Sequence, residues 1–294
     1  MRTALLLSFG LLFAPAIAAA CPSPSADPAT FERLRQGDFA IAESGQRHRL
    51  ALALLPCLEA RDPALRDGTA LAALTAWMRG GLLDEATLRE LREHGYARLH
   101  APDPAGFGPP FAALMLAEIA RTDRRAPWMG DDERVAMVAQ AARYLAGIRD
   151  YRGYDSRDGW RHGIAHGADW LMQLALNPAL DRAQLDPLLA AVASQVLPPA
   201  PHAYVEGEYE RLARPVLYAA RRGLHDEDYW RHWFSGLTAR LDEAGPAWND
   251  RDWLVRRHNL LTFLAALNAQ LDLAPDPALA PLHQALRTAL RTLG

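Results

Sequence analysis

The sequence predicts an all-α protein, and three observations carry the prediction. Ala, Leu, Arg and Glu, all good helix formers, dominate a chain of 294 residues that is 50% hydrophobic. Apolar side chains recur at the pitch of a helix, not in the alternation of a half-buried strand. Acid-proline pairs stand where helices would begin, and glycines where they would end.

The first twenty residues read as a leader. Arg2 supplies a positive charge, Ala4 to Phe13 is rich in aliphatic residues, Pro15 breaks the run, and Ala18-Ala19-Ala20 offers small residues for cleavage. Residues 1–20 are therefore expected to be a signal peptide and 21–294 a single all-helical domain, exported to the periplasm or secreted. Two fates compete for Cys21. Ala18-Ala19-Ala20-Cys21 is similar to a lipobox, with Ala18 where Leu is usual, and lipidation there would anchor the protein to a membrane. The favoured alternative is oxidation with Cys57, the other cysteine of the chain. That bridge closes a loop of roughly 35 residues and contributes about 3–4 kcal/mol in the chain-entropy model.

Charge excludes one class of partner. Lys and Arg together number 32 against 35 Asp and Glu, and every one of those cations is Arg. Pairs such as Arg124-Arg125 and Arg256-Arg257 are isolated, so no basic face exists for nucleic acid.

Along the chain, Asp27-Pro28 and Asp62-Pro63 predict helix starts, and Gly37 predicts a stop. Asp62 to Leu99 reads as one helix to Arg79, a turn at Gly80-Gly81, and a second helix capped by Asp84. Asp131 is expected to cap the next helix, with Asp132 and Glu133 favourably near its positive end. Leu185, Leu188, Leu189, Val192 and Val196 form an apolar stripe. Pro198-Pro199-Ala200-Pro201 reads as a loop. Further stripes are Trp230, Trp233, Leu237 and Leu241, then Leu260, Leu264, Leu267 and Leu271, with Gly223 and Gly245 as stops. Asp276-Pro277 opens the last helix, with its stripe from Leu279 to Leu293. Roughly eleven or twelve helices result, joined by short turns as antiparallel pairs require. Asp62 to Leu99 is similar to one HEAT-type unit. The expected architecture is therefore an α/α superhelix of HEAT-like antiparallel pairs, with a closed α/α toroid as the alternative.

One stretch carries polar chemistry. Asp150 to Leu171 runs from a loop rich in Tyr, Arg and Asp into a helix expected to start near Gly159. His162, His166 and Asp169 at i, i+4 and i+7 would then share one face. Gly163 and Gly167 beside them remove bulk, so a backbone or a ligand can approach. Three readings follow. His162, His166 and Asp169 could ligate a divalent metal. Asp155, Asp158 or Asp169 could serve acid/base chemistry on a sugar or ester. Alternatively, His162 and Asp169 satisfy each other in a buried polar network. Downstream, Glu208 and Arg211, one helical turn apart, are expected to face the His162 helix across a groove. Trp77, Trp230 and Trp233 read as core, whereas Trp160 and Trp170 flank the histidines and are offered as stacking surfaces. His258-Asn259 reads as a helix–helix hydrogen bond.

These letters resemble a family. Gly159-Trp160-x-His162-x3-His166-Gly167-Ala168-Asp169-x-Leu171, preceded by Arg152-Gly153-Tyr154, looks like the signature of the bacterial DUF2785 domain. Glu208-x-Glu210-Arg211-Leu212-Ala213 and Asn259 with Phe263-Leu264-x-x-Leu267 are similar to its later blocks. The resemblance spans about Leu50 to about Leu273 and departs from the pattern at Gly163 and Tyr209. It implies an all-helical fold and no assigned activity.

The residues thus predict a binding or scaffold module of the cell envelope. Its candidate ligand site comprises Tyr154, Asp158, Trp160, His162, His166, Asp169, Glu208 and Arg211, and its partner is a small molecule, a glycan or an envelope protein. The alternative is a polysaccharide-acting or metal-dependent hydrolase. No catalytic residue and no cofactor beyond that candidate divalent metal is assigned.

Overall fold

Helix starts follow the short polar side chains. A computed structural model describes residues 21, 28–243, 248–273 and 275–293. The leader, Asp27 and Gly245 lie outside the described residues. After α1 (Pro28–Gln36), the Glu43 carboxylate accepts from the amides of Gly45 and Gln46 and starts α2 (Ser44–Ala53). A 3-10 turn (Leu55–Glu59) leads to Asp62, which caps the short α3 (Pro63–Leu65) through the Ala64 amide at 2.9 Å. A π-helical turn (Arg66–Leu71) and α4 (Ala72–Arg79) follow directly. Such a turn rotates the side chains it carries, and here it directs Arg66 into the core.

Asp84 caps α5 (Glu85–Leu99) through the Thr87 amide at 2.8 Å. Asp103 accepts from the Ala105, Phe107 and Gly108 amides and opens α6 (Gly108–Arg125). The cap of α7 (Asp131–Gly147) corrects the expectation for Asp131: Gly130 is the N-cap, and Glu133 reaches back to its amide at 2.9 Å. A hairpin of β1 (Tyr154–Asp155) and β2 (Gly159–Trp160) precedes α8 (Gly163–Ala175). Asp181 and Gln184 form a capping box at α9 (Arg182–Val196). The prolines of residues 198–201 lie in the loop to α10 (Glu208–Arg221). Asp226 caps α11 (Glu227–Asp242), α12 (Arg251–Leu273) is the longest helix, and Asp276 caps the 3-10 turn (Pro277–Leu279) before α13 (Ala280–Leu293).

The fold is all-α. α4 packs on α6, α6 on α8, α8 on α10 and α10 on α12. α7 and α9 pack together behind α8, and α11 packs on α13. Packing of this kind buries the apolar stripe of each helix against its neighbours. The stripes predicted from sequence do this: Leu185, Leu188, Leu189, Val192 and Val196 are buried, as are Leu260, Leu264, Leu267 and Leu271. One apolar cluster runs from Phe31 to Ala289, with Trp77 and Trp230 inside it and Trp233 packed against it.

Cys21 and Cys57 form a disulfide with Cα atoms 5.0 Å apart, tying Cys21 to the core through the buried Cys57. Asn259, buried in α12, accepts from the Tyr204 amide at 3.0 Å and donates to the His202 carbonyl at 2.7 Å. Asn259 therefore holds the loop before α10 rather than a second helix, which corrects the helix–helix hydrogen bond expected at His258-Asn259. No described helix is long and apolar enough to cross a membrane.

Candidate functional site

Helix α8 does not start near Gly159. Residues 154–160 instead make a hairpin with Tyr154 paired to Trp160 and Asp155 to Gly159. Two-residue strands leave no alternation to detect in the sequence. The tip closes because Asp155 accepts from the Arg157 and Asp158 amides at 2.9 and 2.8 Å. Gly159, at φ +77°, supplies a conformation that side chains disfavour. The pairing is extended by the Arg161 amide on the Gly153 carbonyl and the His162 amide on the Arg152 carbonyl. His162 then turns left-handed at φ 54° and becomes the N-cap of α8. It lies off the helical face that carries His166 and Asp169.

The imidazoles nevertheless remain close, because a row of rings runs from solvent to core. Tyr154, 56% exposed, meets Trp160, 40% exposed, at 5.0 Å between centroids. Trp160 stacks on His162 at 4.6 Å and 19°. His162 is 6.1 Å from His166, which is 7% exposed and packs edge-on against Phe111 at 5.2 Å. Trp170, offered from sequence as a stacking surface, is instead fully buried beside Tyr96. The glycines serve packing between helices. A Cβ on Gly167 would crowd Leu145 and Tyr144 of α7 at 3.1 Å, and one on Gly163 would touch Tyr144 and Pro110.

Both imidazoles are held neutral. Burial, followed by the nearby Arg211 guanidinium, lowers His162 to about 4 against a partial offset from Glu206. Burial lowers His166 to about 3, with His162 and Arg211 adding to the shift. His166 Nδ1 lies 3.2 Å from the Pro110 carbonyl, which as an acceptor assigns the proton to that nitrogen. The buried His162 Nε2 has no hydrogen-bond partner in the structure.

The second block meets the first because α8 packs on α10. Arg211 Nη2 lies 2.9 Å from Asp169 Oδ2. Burial raises the Asp169 carboxyl against the pull of Arg211 and Arg214. The pair joins the two helices that carry the candidate residues. Glu208 turns away from it: at 2% exposure its carboxylate accepts from the Glu206 amide at 2.9 Å, at the start of its own helix. Burial raises its pKa as well. Asp158 lies 3.4 Å from Arg161, on the hairpin rather than in the Asp169–Arg211 pair.

Sequence reasoning missed three supporting residues. Glu206 accepts from the Tyr154 amide at 2.9 Å and holds the hairpin against the loop before α10. The signal for it was Gly153, where any Cβ would overlap that carboxylate. Arg66 is fully buried, lies over Phe107 and Phe111 at 4.1 and 4.8 Å, and donates to the Asp158 carbonyl at 3.0 Å. Arg161 covers the same Phe107 at 4.4 Å and donates to the Ala105 carbonyl at 2.7 Å. These arginines fasten the hairpin to the body of the protein.

Among the described residues, no group of three His, Cys, Asp or Glu is arranged to hold a metal ion. His166 is turned to Pro110 and Asp169 to Arg211, so the proposed ligand trio is divided among other partners. Carboxylates around the hairpin are likewise engaged: Asp155 by backbone amides, Asp158 by Arg161, Asp169 by Arg211, and Glu206 and Glu208 by amides. Such an arrangement orients polar groups and presents aromatic faces.

The sequence profile of the family described as Protein of unknown function (DUF2785) matches residues 98–268, which include the hairpin, α8 and α10. No curated protein and no solved structure matches the chain.

Proposed function

The chain belongs to the DUF2785 family, and on that premise we propose that it is an exported binding protein of the cell envelope whose hairpin rim takes a glycan. One observation carries the reading: Tyr154 and Trp160 stand exposed on a hairpin braced by Arg66, Arg161 and Glu206. Exposed aromatic rings on a rigid support are suited to the apolar C–H face of a sugar, and their polar surroundings to its hydroxyls. His162, neutral and backing Trp160, leaves that face without added charge. Asp169 and Arg211, each partly accessible, lie beyond it as hydrogen-bonding groups. Export is supported by the leader-like first twenty residues and by the Cys21–Cys57 bridge, of a kind that persists in oxidising compartments.

Calorimetric titration with soluble peptidoglycan glycan strands tests the reading. Saturable binding is expected, weakened about tenfold or more by Trp160→Ala, since a stacking aromatic contributes about 1–2 kcal/mol. Absence of binding, or equal affinity in the variant, would refute it.

A further inference from the structure

A cavity of about 340 Å³ opens beside the first turn of α8, and neither Tyr154, Trp160 nor Arg211 lines it. Its volume is within the range of small-molecule sites. Leu99, Pro109, Pro110 and Ile148 give it apolar walls. Its charges do not cancel. The two acids of its lining are already engaged, Asp103 by three backbone amides and Asp150 by Arg152. Neither arginine is in an ion pair among the described residues: Arg149 donates only to the Ala146 and Ile148 carbonyls, and Arg143 is exposed.

Two further features favour negative charge there. Gly163, in the lining, opens α8, and the amides of that first turn receive no side-chain cap because His162 is in the left-handed region. Uncapped amides at a helix start carry partial positive charge. Tyr144 also lines the cavity. It is 7% exposed, and its hydroxyl has no hydrogen-bond partner. A buried hydroxyl left unpaired is unfavourable, and an acceptor brought to it relieves this.

We propose that this cavity binds a small organic carboxylate. The anionic group would lie at the start of α8 within reach of Arg143 and Arg149, and the apolar body against the two prolines and Ile148. This site stands apart from the glycan reading and can fail or hold without it.

The test is a ¹⁵N NMR titration of the purified protein with benzoate, with benzamide as the neutral isostere and inorganic phosphate as an anion lacking an apolar body. Benzoate is expected to shift the Gly163, Ile164 and Gly106 amides saturably and to bind about tenfold or more above either control. Arg143→Gln, at an exposed position, and Tyr144→Phe should each weaken benzoate binding severalfold while the remaining amide spectrum stays in place. Equal binding of benzamide removes the anion requirement, and preference for phosphate removes the apolar body. Benzoate shifts elsewhere, or unchanged affinity in both variants, overturn the site.

Discussion

His162 and His166 are one helical turn apart in sequence and belong to different regions of the molecule. His162 ends the hairpin, half-buried behind the exposed Trp160. His166 sits in the layer beneath, against Phe111 and Pro110, and Arg66 lies over the same Phe111 ring. The outer region is built from short strands, a left-handed residue and exposed rings. The inner one is made of helix packing and satisfied carbonyls. A polar motif on one continuous stretch can therefore serve surface and interior at once, and accessibility decides which residue does which.

The largest effect that would sharpen this contrast comes from the inner layer. Arg66→Ala removes donors to the Ala60, Arg61 and Asp158 carbonyls and uncovers two phenylalanines. We expect a loss of about 3 kcal/mol or more in urea unfolding, since a buried charged network is broken. A loss under about 1 kcal/mol would mean that the hairpin does not depend on it.

The two histidines should then separate. His166→Ala is expected to lower stability by about 2 kcal/mol, through a cavity beside Phe111 and an unpaired Pro110 carbonyl. His162→Ala should lower it by less than about 1 kcal/mol, because its ring is only half-buried and stacks on the exposed Trp160 rather than filling the core. Equal losses measured in the same denaturant series would break the division.

A further contrast is one of pH. His166 titrates near 3 when folded, against 6.5 for the free side chain, so the folded state favours its neutral form. That contribution is complete above pH 6.5 and is lost as pH falls from 6.5 toward 3. Asp169, raised by burial, acts with the opposite sign at the acid end. The comparison is therefore between the wild type and His166→Leu, which shares that carboxyl. The variant should show a shallower fall in urea midpoint from pH 6.5 to 4, and parallel curves would argue against a buried neutral imidazole.

Much of the helical frame was legible because its determinants are local. Asp62, Asp84 and Asp276, each expected as a cap, cap a helix start two or three residues ahead, and the Leu260 stripe is buried as spaced. The hairpin was not, since two paired residues per strand carry no period and Gly159 gives only a hint of a turn. Placing the start of α8 too early followed from that, and with it the single face for His162, His166 and Asp169. The proximity of α8 to α10 was anticipated from consecutive pairing, and the Asp169–Arg211 contact agrees with it. Glu208 was misjudged because a buried carboxylate serving its own helix start has the same letters as one facing a groove. Arg66 was invisible for a different reason. Its partners at Phe107, Phe111 and Asp158 are distant in the chain, so only the folded packing defines its role.

Imidazole NMR of the ¹³C-labelled protein, titrated with acid and then with soluble peptidoglycan strands at neutral pH, tests the division between rim and interior most directly. We expect His162 to titrate near 4 and His166 near 3, with the glycan moving the His162 resonance and leaving that of His166 in place. Titration of both His162 and His166 near 6.5, or a glycan response at His166 alone, would contradict it.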